Sequence, residues 1–282
     1  MAKPSVAHVN ITKVNGTSTD KTVDLLAAEE PLEIRLGFGP HDERLQKSIS
    51  VTMRTPGNDF ELALGFLFTE GIIESADQVL KIQYCTEVNT IENLENIVRV
   101  ELHPDVVIDF NQLQRNFYTS SSCGVCGKES IESVKTVCRF TAPHNSFKVA
   151  SSLVLQLPQL LREQQSVFEH TGGIHAAALF DQTGQLINLR EDVGRHNALD
   201  KLIGACVGKK TVPLHQHILL LSGRASFELI QKAAMAGIQV VCAVGAPSSL
   251  AVALSQEFDI TLVGFLRDNR FNIYNRPDRI EV

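Results

Sequence analysis

No stretch of the 282-residue chain approaches the roughly 20 consecutive apolar residues of a membrane-spanning helix, so a helical membrane protein is not the expectation. Met1 to Asn15 has no apolar run of the signal-peptide kind, which points to a cytoplasmic protein. Blocks of Lys and Arg are missing as well. With 26 basic against 32 acidic residues, a net charge of −6 and a pI near 5.9, there is no broad basic face for a nucleic acid, and any anionic ligand must be held by a local site. Six cysteines (Cys85, Cys123, Cys126, Cys138, Cys206, Cys242) are too few for a disulfide scaffold at this length, and a reducing compartment keeps them as thiols. Internal repeats and low-complexity segments are absent too.

What is present is an ordinary globular composition, 44% hydrophobic and 21% charged, enough for one large domain or two modest ones. From Val6 to Val51, apolar and polar residues alternate (HVNITKV, LEIRLGF, SISVTMR) between turn residues, predicting short, mostly antiparallel strands. Asn58 to Glu70 reads as a helix capped by Asn58 or Asp59, with Phe60, Leu64 and Leu67 at helical spacing and Gly71 at its end. The runs VLKIQYC and NIVRVELH complete a small α+β unit over 1–118, followed by a cysteine loop and connector over 119–150.

Residues 151–282 read as an α/β domain. A helix over about Gln156 to Phe168, with Pro158 in its first turn, leads to the strand of Gly172 to Phe180. Asp181 to Gly184 is a hairpin signal before LINLRED, and a helix follows over Arg195 to Cys206. Then HILLLSG, QVVCAVG and ITLVGFL alternate with helices over Ser226 to Gly237 and Ser248 to Glu257. Continuous apolar strands of this kind suit a partly parallel sheet covered by helices on both faces.

Chemistry concentrates first in Tyr118 to Lys128, where Cys123 and Cys126 sit three apart among Ser and Gly. Small polar residues favour an accessible loop, and such a pair serves a disulfide cycle, half of a zinc site, or a thiolate that receives and hands on sulfur. Cys206 and Cys242 lie in apolar surroundings and read as buried, and Cys85 and Cys138 read as structural. Two strand-to-helix turns, Ser222-Gly223-Arg224-Ala225-Ser226 and Gly245-Ala246-Pro247-Ser248-Ser249, would present free backbone N–H groups to a phosphate, although Ser226 and Ser248 also suit plain helix caps. Arg190 to Asn197 packs five ionisable side chains into eight positions, in which Arg195 and His196 would suit a phosphate or a purine edge. The run Phe265, Leu266, Arg267, Asp268, Asn269, Arg270 leaves a core strand and carries charge to a rim, where an acidic side chain could read guanine. His175 enters an apolar strand and reads by itself as a core histidine. Zinc deaminases pair His-x-Glu with a later Pro-Cys-x-x-Cys, but here Ala176 and Ala177 follow His175 and the cysteine pair comes earlier, so no metal held by the protein is expected.

Six blocks in order, SSSCGVCGK, TGGIHAAAL, REDVGRHNALDK, SGRASFELIQKAAMAG, APSSLAVALS and GFLRDNRFNIY, resemble the formate dehydrogenase accessory sulfurtransferase family over most of the chain. The resemblance implies a homodimer whose second half has a cytidine-deaminase-like fold without zinc chemistry. It implies a persulfide taken from a cysteine desulfurase on Cys123, with Cys126 as its partner, and delivered to the bis-molybdopterin guanine dinucleotide cofactor of a formate dehydrogenase. Phe265 to Arg270 matches the family's cofactor-binding stretch, for which GDP- and GMP-like nucleotides would be mimics, and Asp268-Asn269 stands where related sequences often have Gly. Two competing readings are a dithiol-disulfide oxidoreductase and a non-catalytic cofactor-binding chaperone.

Overall fold

The computed structural model describes residues 3–85, 95–108, 140 and 147–282, so Cys123, Cys126 and Cys138 lie outside the described residues. An exposed hairpin of β1 (Val6–Asn15) and β2 (Ser18–Ala27) opens the chain. In β3 (Glu30–Phe38), Leu32, Ile34 and Leu36 are fully buried, because period-two alternation sends them to one face. Val98, Val100 and Leu102 of β6 (Ile97–Leu102) do the same. With β4 (Leu45–Arg54) and β5 (Val79–Tyr84) these make a four-stranded sheet in the order β4-β3-β6-β5. The β3–β6 pair is parallel, because the chain returns through a helix, α1 (Asp59–Thr69), rather than by a hairpin.

Neither of the expected caps of α1 works through its side chain. Asn58 is left-handed and makes no capping bond, and Asp59 turns inward to receive a two-pronged contact from the buried Arg54 (2.8 and 3.0 Å). Phe60 is exposed, and the buried positions Leu62, Ala63, Leu64, Leu67 and Phe68 are too many for one stripe. The helix is covered on both sides, by the four-stranded sheet and by α4 (Arg195–Gly208). Where the two helices cross, Gly65 and Gly204 bring backbone against backbone: a Cβ on Gly65 would stand 1.9 Å from the Asp200 carbonyl oxygen, and one on Gly204 1.9 Å from that of Glu61.

The second half is a six-stranded mixed sheet in the order β13-β12-β11-β10-β8-β9. The strands β10 (Ile218–Leu221), β11 (Val240–Ala243) and β12 (Thr261–Arg267) are parallel, while β8 (His175–Phe180), β9 (Leu186–Asp192) and β13 (Arg270–Asn275) run antiparallel to their neighbours. Leu219, Leu221, Val241 and Leu262 face the layer of α4, α5 (Phe227–Met235) and α6 (Ser249–Glu257). Ile218, Leu220, Val240, Cys242 and Val263 face α2 (Ser151–Arg162). The second half is thus a three-layer α/β arrangement, preceded by a smaller α+β unit. All four side chains of β10 are buried, each contributing about 1.5–3 kcal/mol relative to exposure.

The helix expected over Gln156 to Phe168 is two: α2, and α3 (Ser166–Thr171), separated at Glu163 to Gln165. Pro158 therefore sits inside α2 rather than in its first turn. Docking Val154, Leu157 and Leu161 onto the sheet outweighs the hydrogen bond that proline cannot donate. No helix among the described residues is long and apolar enough to cross a membrane.

Candidate functional site

The loops after β10 and β11 are laced to each other and to the end of β12 at the carboxyl end of the sheet. Gly245 N–H donates to the Gly223 carbonyl (3.0 Å), Ser248 N–H to that of Ala225 (3.0 Å), and Phe265 N–H to that of Gly245 (3.0 Å). Backbone pairing thus sets Ser222–Ser226, Gly245–Ser249 and Phe265 side by side, where ligands of such sheets bind.

Within this rim the predicted residues divide by role. The Ser222 hydroxyl accepts from Ala176 N–H (2.8 Å), tying the loop to β8. Ser248 caps α6 by accepting from Ala251 N–H (3.1 Å), and Ser249 is exposed beside it. Arg224, Arg267 and Arg270 extend into solvent, and the nearest carboxylate to Arg267 is Asp268 at 3.8 Å. Phe265 is half-buried, whereas Leu266 points into the core, 1% exposed, so its side chain cannot meet a ligand at the rim. Asp268 and Asn269 form the two-residue turn between β12 and β13 with φ of 53° and 59°. Such a hairpin turn needs left-handed residues, which Gly, Asn and Asp supply; that is the physical reason one can replace another here.

The charged run 190–197 is split by the fold. Arg190 forks onto Glu61 of α1 (2.5 and 2.7 Å). Asp192 pairs with the buried Lys201 (2.7 Å) and accepts from Thr55 N–H, while Asn197 donates to the Met53 carbonyl (2.7 Å). Glu191 accepts from the N–H groups of Val167 and Phe168 at the start of α3. Arg190, Asp192 and Asn197 clasp the second half to the first, while Glu191 ties β9 to α3. A cleft of about 460 Å³ beside the clasp is lined by Thr55, Asn58, Arg190 and Lys201, but these last two cations are already paired with carboxylates.

His196 reaches the laced loops, and Arg195 lies close enough to His175 to act on its ring. His196 Nε2 lies 3.3 Å from the Ser226 hydroxyl and 3.8 Å from Glu228, whose carboxyl is held down to about 2 by that ring. Arg195 opens α4, a helix with no acidic residue in its first turn, and its buried Nε finds no acceptor among the described residues. His175 stands beside them at the start of β8; burial, then the Arg195 and His196 charges, hold its ring below the ordinary histidine value. Neither the setting of His175 nor Glu228 was legible from pattern, since strand-start histidines and helix glutamates are common. The donors here are guanidinium, imidazole and backbone N–H groups, a set suited to phosphate oxygens rather than to a metal ion. Among the described residues no three His, Cys, Asp or Glu converge to hold one.

Away from this site, Cys242 is buried with its thiol pushed up to about 12 and Cys206 is pushed up by the same cause, which makes both poor nucleophiles. Cys85 is half-buried.

The model of the FdhD/NarQ family matches residues 27–281. The chain belongs to this family. It is 50% identical over 260 residues to a protein of Streptomyces avermitilis named sulfur carrier protein FdhD, covering 91% of this chain and 89% of that one. Proteins of the same name from Mycobacterium tuberculosis and Sulfolobus acidocaldarius are 46% and 38% identical, each match covering 98% of this chain and 99% of the relative. Among solved structures, a Desulfotalea psychrophila protein ascribed a formate dehydrogenase accessory role superposes with a TM-score of 0.73 at 23% identity, covering 99% and 100% of the two chains; this likeness speaks for the fold. The FdhD/NarQ match begins at Ala27, so almost all of the β1–β2 hairpin lies outside it, whereas the clasp, the laced loops and the cysteine pair fall within it.

Proposed function

We propose that this FdhD/NarQ chain is a sulfurtransferase that takes sulfur from a cysteine desulfurase onto Cys123 as a persulfide and delivers it to bis-molybdopterin guanine dinucleotide, bound as substrate, for a formate dehydrogenase. In this reading the chain acts as a cytoplasmic homodimer. The observation that carries it is membership of the family over residues 27–281, with full-length relatives named sulfur carriers. The laced loops support the nucleotide half of the reading, since they gather Arg195, Arg224, Arg267 and Arg270 at one sheet end.

In the first step the Cys123 thiolate attacks the outer sulfur of the donor persulfide; the new S–S bond forms as the old one breaks and the donor leaves as a thiolate. Releasing that sulfur as sulfide takes two electrons. Attack by the Cys126 thiolate on the Cys123 sulfur supplies them, leaving a Cys123–Cys126 disulfide. The guanine ends of the substrate lie against Phe265 to Arg270 and its phosphates against the loops 222–226 and 245–249.

Peptide mass spectrometry after incubation with a cysteine desulfurase and cysteine tests the carrier step. One added sulfur, removable by reduction, maps to the peptide of Cys123 and disappears in Cys123→Ala. Arg267→Ala weakens GDP binding about tenfold, the loss of one charge-assisted hydrogen bond, while persulfide formation is retained. A Cys123–Cys126 disulfide as the sole change in the wild type would instead favour the redox reading.

A further inference from the structure

Arg195 carries a positive charge at the end of α4 where the helix dipole is already positive, and neither an acidic residue in the first turn nor an acceptor for its Nε relieves it among the described residues. A cation so placed is costly until an anion completes it. His175, whose ring feels the Arg195 charge, is half-buried, and Gly223 keeps the space before that ring open: a Cβ on the glycine would stand 3.3 Å from Nδ1. The carboxylates nearby are engaged elsewhere. Asp192, at the end of β9, is taken by Lys201 and by the N–H groups of Thr55 and Gly194, and Glu228 of α5 faces His196.

We propose that His175 and Arg195 together form a diphosphate subsite, in which the His175 ring takes up a proton as the anion arrives and donates it in a hydrogen bond. The inference rests on the reading that this rim takes a guanine nucleotide, and it adds His175 to the residues that hold it. The charged groups around the ring are Arg195 and His196 from α4 and Asp192 from β9; Arg224 of the 222–226 loop extends into solvent. Burial first, and then the Arg195 charge, disfavour a protonated ring in the empty site, and Asp192 offsets them only in part. An arriving diphosphate reverses the sign of the local field and makes protonation favourable. Binding is then linked to proton uptake.

Calorimetry with inorganic pyrophosphate, at pH 6 and pH 8 and in buffers of different ionisation heat, reads both quantities. His175→Asn is expected to lower pyrophosphate affinity about tenfold at pH 6 and less than about twofold at pH 8, and to abolish the proton uptake of the wild type. The ligand's own ionisation cancels in the ratio of variant to wild type at each pH. Arg195→Gln lowers affinity at both pH values. In the unmutated protein, a ring-proton NMR titration should show one histidine titrating at higher pH when pyrophosphate is present, and that signal should be missing in His175→Asn. An unmoved ring, or equal loss in His175→Asn at both pH values, overturns the proposal. GDP and guanosine separate it from the reading beneath it. Pyrophosphate binding that depends on His175, with GDP binding indifferent to Arg267→Ala, retires the guanine rim and keeps the subsite; GDP binding that depends on Arg267 but not on His175 does the reverse.

Discussion

His217 is half-buried just before β10, its Nδ1 sealed from water without a hydrogen-bond partner among the described residues, and burial holds its ring below the ordinary histidine value of 6.5. The ring of His175 is shifted the same way. A base that titrates lower in the fold than in the unfolded chain leaves the unfolded state binding more protons in that window, so stability is lost as pH falls through about 6.5. Urea midpoints measured at pH 7.5 and 5.5 should therefore drop at the lower pH, and less so in His217→Asn. The depressed carboxyls of Glu228 and Asp278, both at about 2, act in a separate and more acidic window, where their stabilisation is present above the unfolded carboxylate value and disappears as pH falls toward 2. At this scale the sequence showed a charged run without the separate placements of its members. Arg190, Asp192, Arg195 and His196 look alike as letters, yet the first two bond into the clasp, Arg195 lies near His175 and His196 reaches the laced loops.

Among the elements, strands and helices of the second half fall close to where periodicity and capping residues put them, because β10, β11 and β12 are continuous apolar runs and their helices begin beside Ser. The α2–α3 break was not legible, since no Gly or Pro marks Glu163 to Gln165. The crossing of α1 on α4 is another feature of packing alone. Gly65 and Gly204 are poor helix residues that intrinsic preference would remove, but a methyl on either meets opposing backbone at 1.9 Å. Gly204→Ala should cost at least about 3 kcal/mol, the upper end of ordinary overpacking, because neither helix backbone can move aside. Chemical denaturation followed by far-ultraviolet circular dichroism measures it, and a change within 0.5 kcal/mol, about the scatter of surface substitutions, would remove the contact as a constraint.

For the molecule as a whole, the four-stranded sheet, α1, α4 and the six-stranded sheet share one buried cluster, and polar groups stitch the same seam. Lys232 bridges Asp200 (3.0 Å) and Glu70 (3.1 Å), Thr69 donates to Asp200 (2.8 Å), and Lys201 bonds the Thr55 carbonyl (2.7 Å). Lys201→Ala leaves Asp192 buried without its cation and should destabilise by about 3–5 kcal/mol. Since the seam joins both halves, the midpoint should shift equally whether followed by far- or near-ultraviolet dichroism. Two separated transitions would show that the halves unfold independently.

Alternation, helical spacing, turn residues and the cysteine pair are local properties, and they were enough to place most elements and to identify the family by its motifs. Long-range placement was not local in this sense. That β6 lies parallel to β3, that two strand-end loops and the end of β12 hydrogen-bond into one rim, and that Arg195 ends near His175 with no carboxylate partner among the described residues all depend on groups far apart along the chain, brought together by shared burial and backbone pairing that no sequence window contains.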